Sequence, residues 1–455
     1  MSLAKALELA QAGREQSEQE LLEELCIPSI STLPEHRADV RRNCDWLADR
    51  LRALGFTVQI TDVEGGTHPV LQADWRGAGE DAPTLTIYGH YDVQPPDPLE
   101  EWESHPFEPV IRDGMVYARG CADNKGNHMA ALRAAGYVIV SGSPINLRFL
   151  MEGEEEIAGS ALPRYLQERA DQLHSDYTLV WDSLFEGENR PSLTSGLRGR
   201  LYVELEATGA AIDLHSGFFG GVAPNPCNTL ARVLADLKGR DGVITIPSFY
   251  DDVRPPSSEE ASKWDRSEAY AESIRRRMQA SALEGEVDFA PVERMWSRPT
   301  LDVHGLIGGF TGEGQKTVIP AWARAKLSMR LVPDQDPDRI AKALAIYVQD
   351  LTTPGVQVGV KVMGQSKPVL LDWQSRAATA LADAFQASFG VRAFSNRCGG
   401  SIPVMLDFLD QVGGQVVCSG LIQADCGMHA PNEHLSLEHY HRGIETLVHF
   451  LYGLA

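Results

Sequence analysis

The sequence predicts an α/β fold: a mostly parallel central sheet flanked by helices, interrupted by an inserted α+β unit. Three observations carry that expectation. Short apolar runs rich in strand-forming residues alternate with stretches of helical spacing from about Ser17 to Trp181. Three of those runs stop abruptly at acidic or histidine residues. From Gly199 the runs become alternating rather than continuously apolar, and from Lys367 the chain returns to its first pattern.

The elements follow in order. Arg37 to Leu54 has apolar residues at helical spacing, and Gly55 to Ile60 follows as a strand. Leu85 to Gly89 is an apolar run ending at His90. Met115 to Ala118 is a short strand leading into the Asp123 loop and a helix from Asn127 to about Val140. Ile145 to Met151 ends at Glu152–Glu156, and Asp176 to Trp181 ends at Asp182. Short apolar runs bounded by turn signals suit buried strands of a parallel sheet. Ligands of such sheets gather beyond the carboxyl ends of the strands. The inserted unit, residues 199–366, opens with a strand at Arg200–Ala207 that has one wet face. Helices at Pro226–Leu237 and Pro337–Leu351 and strands at Ala323–Leu331 and Gln357–Val362 follow, and Asp251–Val292 is charged and helical. The first part of the main domain is then 1–198 and its second part 367–455.

At 455 residues the chain exceeds one ordinary core. The 41 basic and 63 acidic residues give a net charge of −22, which argues against nucleic acid and anionic membranes as partners. No apolar stretch approaches the ~20 residues of a membrane helix. Ala4–Glu24 is polar and amphipathic and lacks the apolar core of a secretory signal. The seven cysteines have no tight pairing, so a reducing cytoplasm is expected. Cys121 and Cys426 lie near candidate ligands, yet read as small buried residues.

The chemistry is carried by five motifs: His90-Tyr91-Asp92, Asp123-Asn124-Lys125-Gly126, Glu154-Glu155-Glu156, Asp182 and His429. Together they supply one histidine and one terminal carboxylate for each of two metals, a shared carboxylate, and a spare carboxylate as base. In His-x-Asp, the acid can fix the tautomer of a metal-bound histidine, so His90 is a ligand and Asp92 its orienting partner. Glu152–Glu156 holds four carboxylates in five residues directly after an apolar strand. Burying them there is costly unless they are paired or metal-bound. His429 sits in the loop-like run His429-Ala430-Pro431-Asn432-Glu433 and supplies the nitrogen that one metal would otherwise lack.

These motifs resemble the dinuclear zinc metallopeptidase family that includes carnosinase-type dipeptidases, glutamate carboxypeptidases, acetylornithine deacetylase and succinyl-diaminopimelate desuccinylase. The likeness runs through Gly89–Pro95, Arg119–Gly126, Glu152–Glu156, Gly196-Leu197-Arg198-Gly199, Asp213-Leu214-His215-Ser216-Gly217, Lys316-Thr317-Val318-Ile319-Pro320 and Gly399-Gly400-Ser401-Ile402-Pro403. It covers nearly the whole chain, and the Asp-Leu-His-Ser-Gly and Thr-Val-Ile-Pro segments look like the dipeptidase branch.

The resemblance implies that Asp123 bridges two Zn2+ ions, with Mn2+ or Co2+ as substitutes. His90 and Asp182 would complete one site, Glu156 and His429 the other. Glu155 would be the general base. His215 would polarise the scissile carbonyl, reaching across a dimer interface, while Thr317, Arg330 and Ser401 hold the substrate's carboxylate. The inserted unit would be a lid that also makes the homodimer, and a cis peptide would follow Asp123. The family follows its paired glutamates with Ile-Gly-Ser or Ser-Gly-Ser. Here Ile157-Ala158-Gly159-Ser160 carries one residue more. It falls after the ligands, so Glu155 stays base and Glu156 ligand. The expected activity is cleavage of dipeptides or short peptides with a free C-terminus. An N-acyl-amino-acid amidohydrolase is the alternative.

Overall fold

A computed structural model describes residues 2–187, 189–400 and 404–455. The chain divides into two compact units. One comprises Met1–Ser195, Leu371–Ser395 and Pro403–Ala455; the other comprises Gly196–Leu370 and Asn396–Ile402. The described residues 396–400, assigned from sequence to the second part of the main domain, therefore group with the inserted unit.

The first unit is built on six strands: β1 (Thr57–Thr61), β2 (Val70–Trp75), β3 (Thr84–His90), β4 (Asn146–Glu152), β5 (Tyr177–Trp181) and β6 (Gln415–Ser419). Their order is β1-β2-β4-β3-β5-β6. The four strands β4, β3, β5 and β6 are parallel, while β1 and β2 run antiparallel at one edge. Every residue of β3, β4 and β5 is buried, so apolar side chains fill both faces. Arg148 and Thr86 among them are paired: Arg148 donates to Asp74 and to the Leu173 carbonyl, and Thr86 hydrogen-bonds Ser175. Helices Arg37–Ala53, Gly126–Val140 and Arg376–Phe389 pack on the strands, and Leu437–Gly453 packs on the latter two. In register, His90 lies opposite Glu152, so β3 and β4 end level and β5 delivers Asp182 one residue past Trp181 at the same edge. Met115–Tyr117 does not join this sheet. It pairs with Val110–Arg112 and His434–Ser436 in a small ladder of its own.

The second unit holds an antiparallel sheet of four strands, in the order Thr300–Gly308, Trp322–Leu331, Gly199–Thr208, Gln357–Ser366. Leu201, Val203, Leu205 and Ala207 are buried, while the residues between them are half-buried. The buried face meets helices Pro226–Asp236 and Pro337–Leu351, started by the side-chain caps of Asn225 and Asp336. Residues 251–296 carry only short helices, Ser258–Ala261, Glu268–Arg277 and Pro291–Trp296; Pro255 and Pro256 precede the first and Pro291 opens the last. Among the described residues no helix is long and apolar enough to cross a membrane.

Candidate metal centre

At the carboxyl edge of the first unit's sheet, two trios of side chains meet on one carboxylate. His90, Asp123 and Asp182 offer ligand atoms within 4.8 Å of one another, and so do Asp123, Glu156 and His429. Asp123 Oδ1 lies 3.1 Å from His90 Nε2, and its Oδ2 lies 3.1 Å from His429 Nε2. Asp182 Oδ2 is 3.8 Å from His90 Nε2, and Glu156 Oε2 is 3.3 Å from His429 Nε2. The peptide bond between Asp123 and Asn124 is cis.

Each member is held by its own element. His90 ends β3, and its Nδ1 lies 3.1 Å from the Asp92 carbonyl oxygen and 3.4 Å from the Asp92 carboxylate. Asp92 Oδ2 in turn accepts from the backbone N–H of Glu156 at 3.1 Å, tying the ends of β3 and β4 together. Glu156 sits in the single turn Glu155–Ile157, and Gln94 Nε2 donates to its Oε2 at 2.9 Å. The additional residue, Ala158, is absorbed by a left-handed conformation (φ 49°) that closes this turn. The chain then reaches helix Ala161–Glu168 with Glu156 still facing His429.

Two carboxylates of the acidic run serve the fold instead. Glu154 accepts from the backbone N–H groups of Thr67, His68 and Ala161. Glu152 accepts from the Tyr88 hydroxyl at 2.9 Å, and burial pushes its pKa up to about 8.

The electrostatics of the centre are those of a largely buried acidic cluster with two histidines. Among the described residues no Lys or Arg pairs with Asp123, Glu155, Glu156 or Asp182. Burial, reinforced by Asp123, pushes Asp182 up to about 7. Burial, with Asp182, Glu156 and Asp123, holds Glu155 well above the usual carboxylate range, against the pull of His90. Hydrogen bonds that the His429 ring donates to Asp123 and Glu156 raise its pKa to about 10. Burial disfavours the charged form of His90, but Asp123, Asp182 and Asp92 outweigh it and raise its pKa. Protons therefore do here what cations could do. Glu156 Oε1 is also buried without a hydrogen-bond partner. Carboxylates, histidines that become neutral ligands on losing a proton, and an orphaned acceptor fit the donor set of a divalent metal pair.

Three residues given no role in the sequence reading complete the frame. Asn124 Nδ2 donates to Asp182 Oδ1 at 2.6 Å. His128 Nδ1 lies 2.9 Å from the His90 carbonyl, with its Nε2 against Glu24 at 2.8 Å. Glu433 binds the Asp123 loop. Each stands within or beside a motif already singled out, and the signal was a polar residue destined for burial. Cys121 and Cys426 are buried free thiols outside both trios.

The remaining expected residues belong to the second unit. His215 is exposed; its Nδ1 accepts from Gly217 N–H at 3.0 Å and its ring leans on Phe218. His215 pairs with Val318 in a two-strand ladder, and the Thr317 carbonyl accepts from Ser216 N–H at 3.2 Å, so His215 and Thr317 are neighbours. Arg330 stands instead near the far end of strand Trp322–Leu331, opposite Arg200. Burial and the Arg200 charge lower its pKa. Ser401 lies outside the described residues.

Known proteins share this arrangement of sequence and fold. Residues 86–453 match the model of peptidase family M20/M25/M40. The Cys-Gly metallodipeptidase DUG1 of Candida albicans is 31% identical over 459 residues, covering 95% of this chain and 93% of that protein. The human Beta-Ala-His dipeptidase is 29% identical, covering 94% and 87%. The crystal structure of an M20 family metallo-carboxypeptidase, Sso-CP2 from Sulfolobus solfataricus, superposes with a TM-score of 0.82 at 31% identity, covering 96% and 99%. On the strength of the match to residues 86–453, this chain belongs to peptidase family M20/M25/M40.

Proposed function

We propose that the chain hydrolyses the amide bond of dipeptides or other short peptides with a free C-terminal carboxylate, at a centre of two zinc ions for which manganese or cobalt can substitute. The observation that carries this reading is Asp123, whose two oxygens face two different histidines in two different trios. The dipeptidase activities named for the Candida albicans and human relatives support it.

Asp123 would be shared, with His90 and Asp182 on one ion and Glu156 and His429 on the other. Cations so held supply Lewis acidity, acidifying water and polarising a carbonyl oxygen. Glu155 makes no side-chain hydrogen bond to the described residues, and its raised pKa suits a group that takes a proton from water and returns it to the leaving amine. Asp92 keeps the His90 ring in one orientation. His215 would donate to the oxyanion, and the planar fork of Arg330 would bind the carboxylate through two parallel bonds.

The inserted unit adds a geometric argument for a homodimer. Trp322 and Arg330 are eight residues apart on one strand, ~27 Å when extended. The His215–Val318 ladder leads into the Trp322 end. A dipeptide spans only about 7 Å. One substrate meets both His215 and Arg330 when His215 and Thr317 come from one protomer and Arg330, with Ser401, from its partner. The seven free cysteines suit a reducing compartment, the cytoplasm.

The test is a screen of dipeptides, tripeptides and N-acyl amino acids with the metal-free chain and with zinc, manganese or cobalt restored. Metal-dependent turnover of dipeptides is expected. Preference for N-acyl amino acids would reassign the chain as an amidohydrolase. A chain that binds metal and cleaves none of them would reject the reading.

A further inference from the structure

Glu433 is 1% exposed, in the loop that also carries His429. A carboxylate so buried needs several donors, and it has four. Its Oε2 accepts from Arg119 Nη1 at 2.7 Å and from Gly120 N–H at 2.8 Å. Its Oε1 accepts from the N–H groups of Ala122 at 2.9 Å and Asp123 at 3.1 Å. The backbone takes part too: the Glu433 carbonyl accepts from Ala118 N–H at 3.1 Å, and His434 N–H donates to Cys426 at 2.8 Å, closing the loop that carries His429.

Two further ties act on the same loop. Asn432 exchanges hydrogen bonds with the backbone of Glu101 and Glu103 at 2.9 Å each. The Arg119 guanidinium lies over the Trp102 ring at 5.5 Å and donates to the Pro95 carbonyl at 3.2 Å. His429 and Asn432 both have φ of 61°, a conformation that non-glycine residues hold only when their surroundings enforce it. The ladder between His434–Ser436 and Met115–Tyr117 joins the two loops at their bases, but it stops short of Asp123; at Asp123 itself the link is the Glu433 carboxylate.

We propose that Glu433 is a positioning residue: by clasping the backbone of Asp123 four residues after His429, it sets the separation of the two side chains that would share one metal. It acts on the ion held by Asp123, Glu156 and His429, and leaves the His90–Asp182 pair to its own supports on β3 and β5. The inference rests on the two-metal reading above.

The test titrates zinc into the metal-free full-length chain against a chelating dye, for wild type, Glu433→Gln and Arg119→Lys. Glutamine keeps the size but turns a donor toward the donors of the loop. One of two zinc equivalents should weaken by about 10–100-fold in Glu433→Gln, the scale for residues that orient ligands, while the other weakens far less. Raised zinc should restore kcat with KM unchanged. A residue needed only for folding would lower the melting temperature of the metal-free chain and leave the ratio of the two zinc affinities unchanged; that result overturns the proposal. Should Glu433→Gln fail to fold, Arg119→Lys carries the test. It should weaken the same equivalent by about tenfold, and unchanged affinities overturn the proposal. A wild-type chain that binds no zinc would instead overturn the two-metal reading itself.

Discussion

Asn124 Nδ2 donates to Asp182 Oδ1 at 2.6 Å and to the Trp181 carbonyl at 3.1 Å. The residue after Asp123 thereby fixes the neighbouring carboxylate, turning its other oxygen, Oδ2, toward His90. One dipeptide, Asp123-Asn124, provides a shared acid and the clasp that aims a second acid at the same centre.

Asn124→Asp replaces that donor with a like charge, and Asn124→Ala removes it. Zinc affinity should fall about 10–100-fold in the alanine variant and further in the aspartate variant. Chelator competition on the metal-free chain measures both. Wild-type affinity in Asn124→Asp would mean that Asp182 is not a ligand.

Glu155 and Glu156 are adjacent, yet they should fail differently. Glu155→Gln should lower kcat by roughly 10²–10⁴ through loss of proton transfer and keep both metals. Glu156→Ala should lose one metal equivalent together with activity. Metal analysis alongside kinetics decides it, and the reverse pattern would show that Glu155 is the ligand.

Zinc binding should release protons. In the ion-free chain His429 titrates at about 10 and is therefore charged at pH 7, whereas a metal ligand must be neutral. Apparent zinc affinity should rise between pH 6 and 8, about tenfold per pH unit for each proton released. Calorimetry in buffers of different ionisation enthalpy counts those protons. At free zinc 100 times Kd the fold should gain about 2.7 kcal/mol, read as a higher melting temperature than in chelator. Affinity independent of pH would exclude His429 from the ligand set.

His215→Ala should reduce kcat by about 100-fold or more without loss of metal, as removal of an oxyanion donor does elsewhere. Mixing inactive His215→Ala and Glu155→Ala chains should restore activity after subunit exchange, since each mixed dimer then holds one intact site. Continued inactivity despite confirmed exchange would place His215 in its own subunit's chemistry or outside it.

The strands that end at His90, Glu152 and Trp181 were legible because burial on both faces favours apolar residues throughout, and an acid or histidine at the end then marks the edge. The strand Val70–Trp75, one in from the edge, escaped notice because half its residues are only partly buried and its pattern is mixed. The acidic run was legible as buried, but the division of labour inside it was not. That Glu154 would accept from Thr67 and His68, residues distant in sequence, is a tertiary fact. The same holds for Glu433, Asn124 and His128, whose partners are set by how loops meet. Arg330 and Thr317 shared one expected task, yet the strand Trp322–Leu331 runs between them, a distance that spacing in sequence conceals.

Asp123 and His429 meet across 306 residues of chain, with the entire inserted unit lying between them in sequence. Closing a span of that length is slow and comes late, because its entropy must be spent before any contact repays it. The first trio is drawn from residues 90 to 182, whereas the second also needs residue 429. A chain caught partway through folding would therefore offer a metal at most one seat. Occupancy of the second seat becomes a certificate of completed topology: it can be issued only to a molecule whose two ends have found each other around a finished insert.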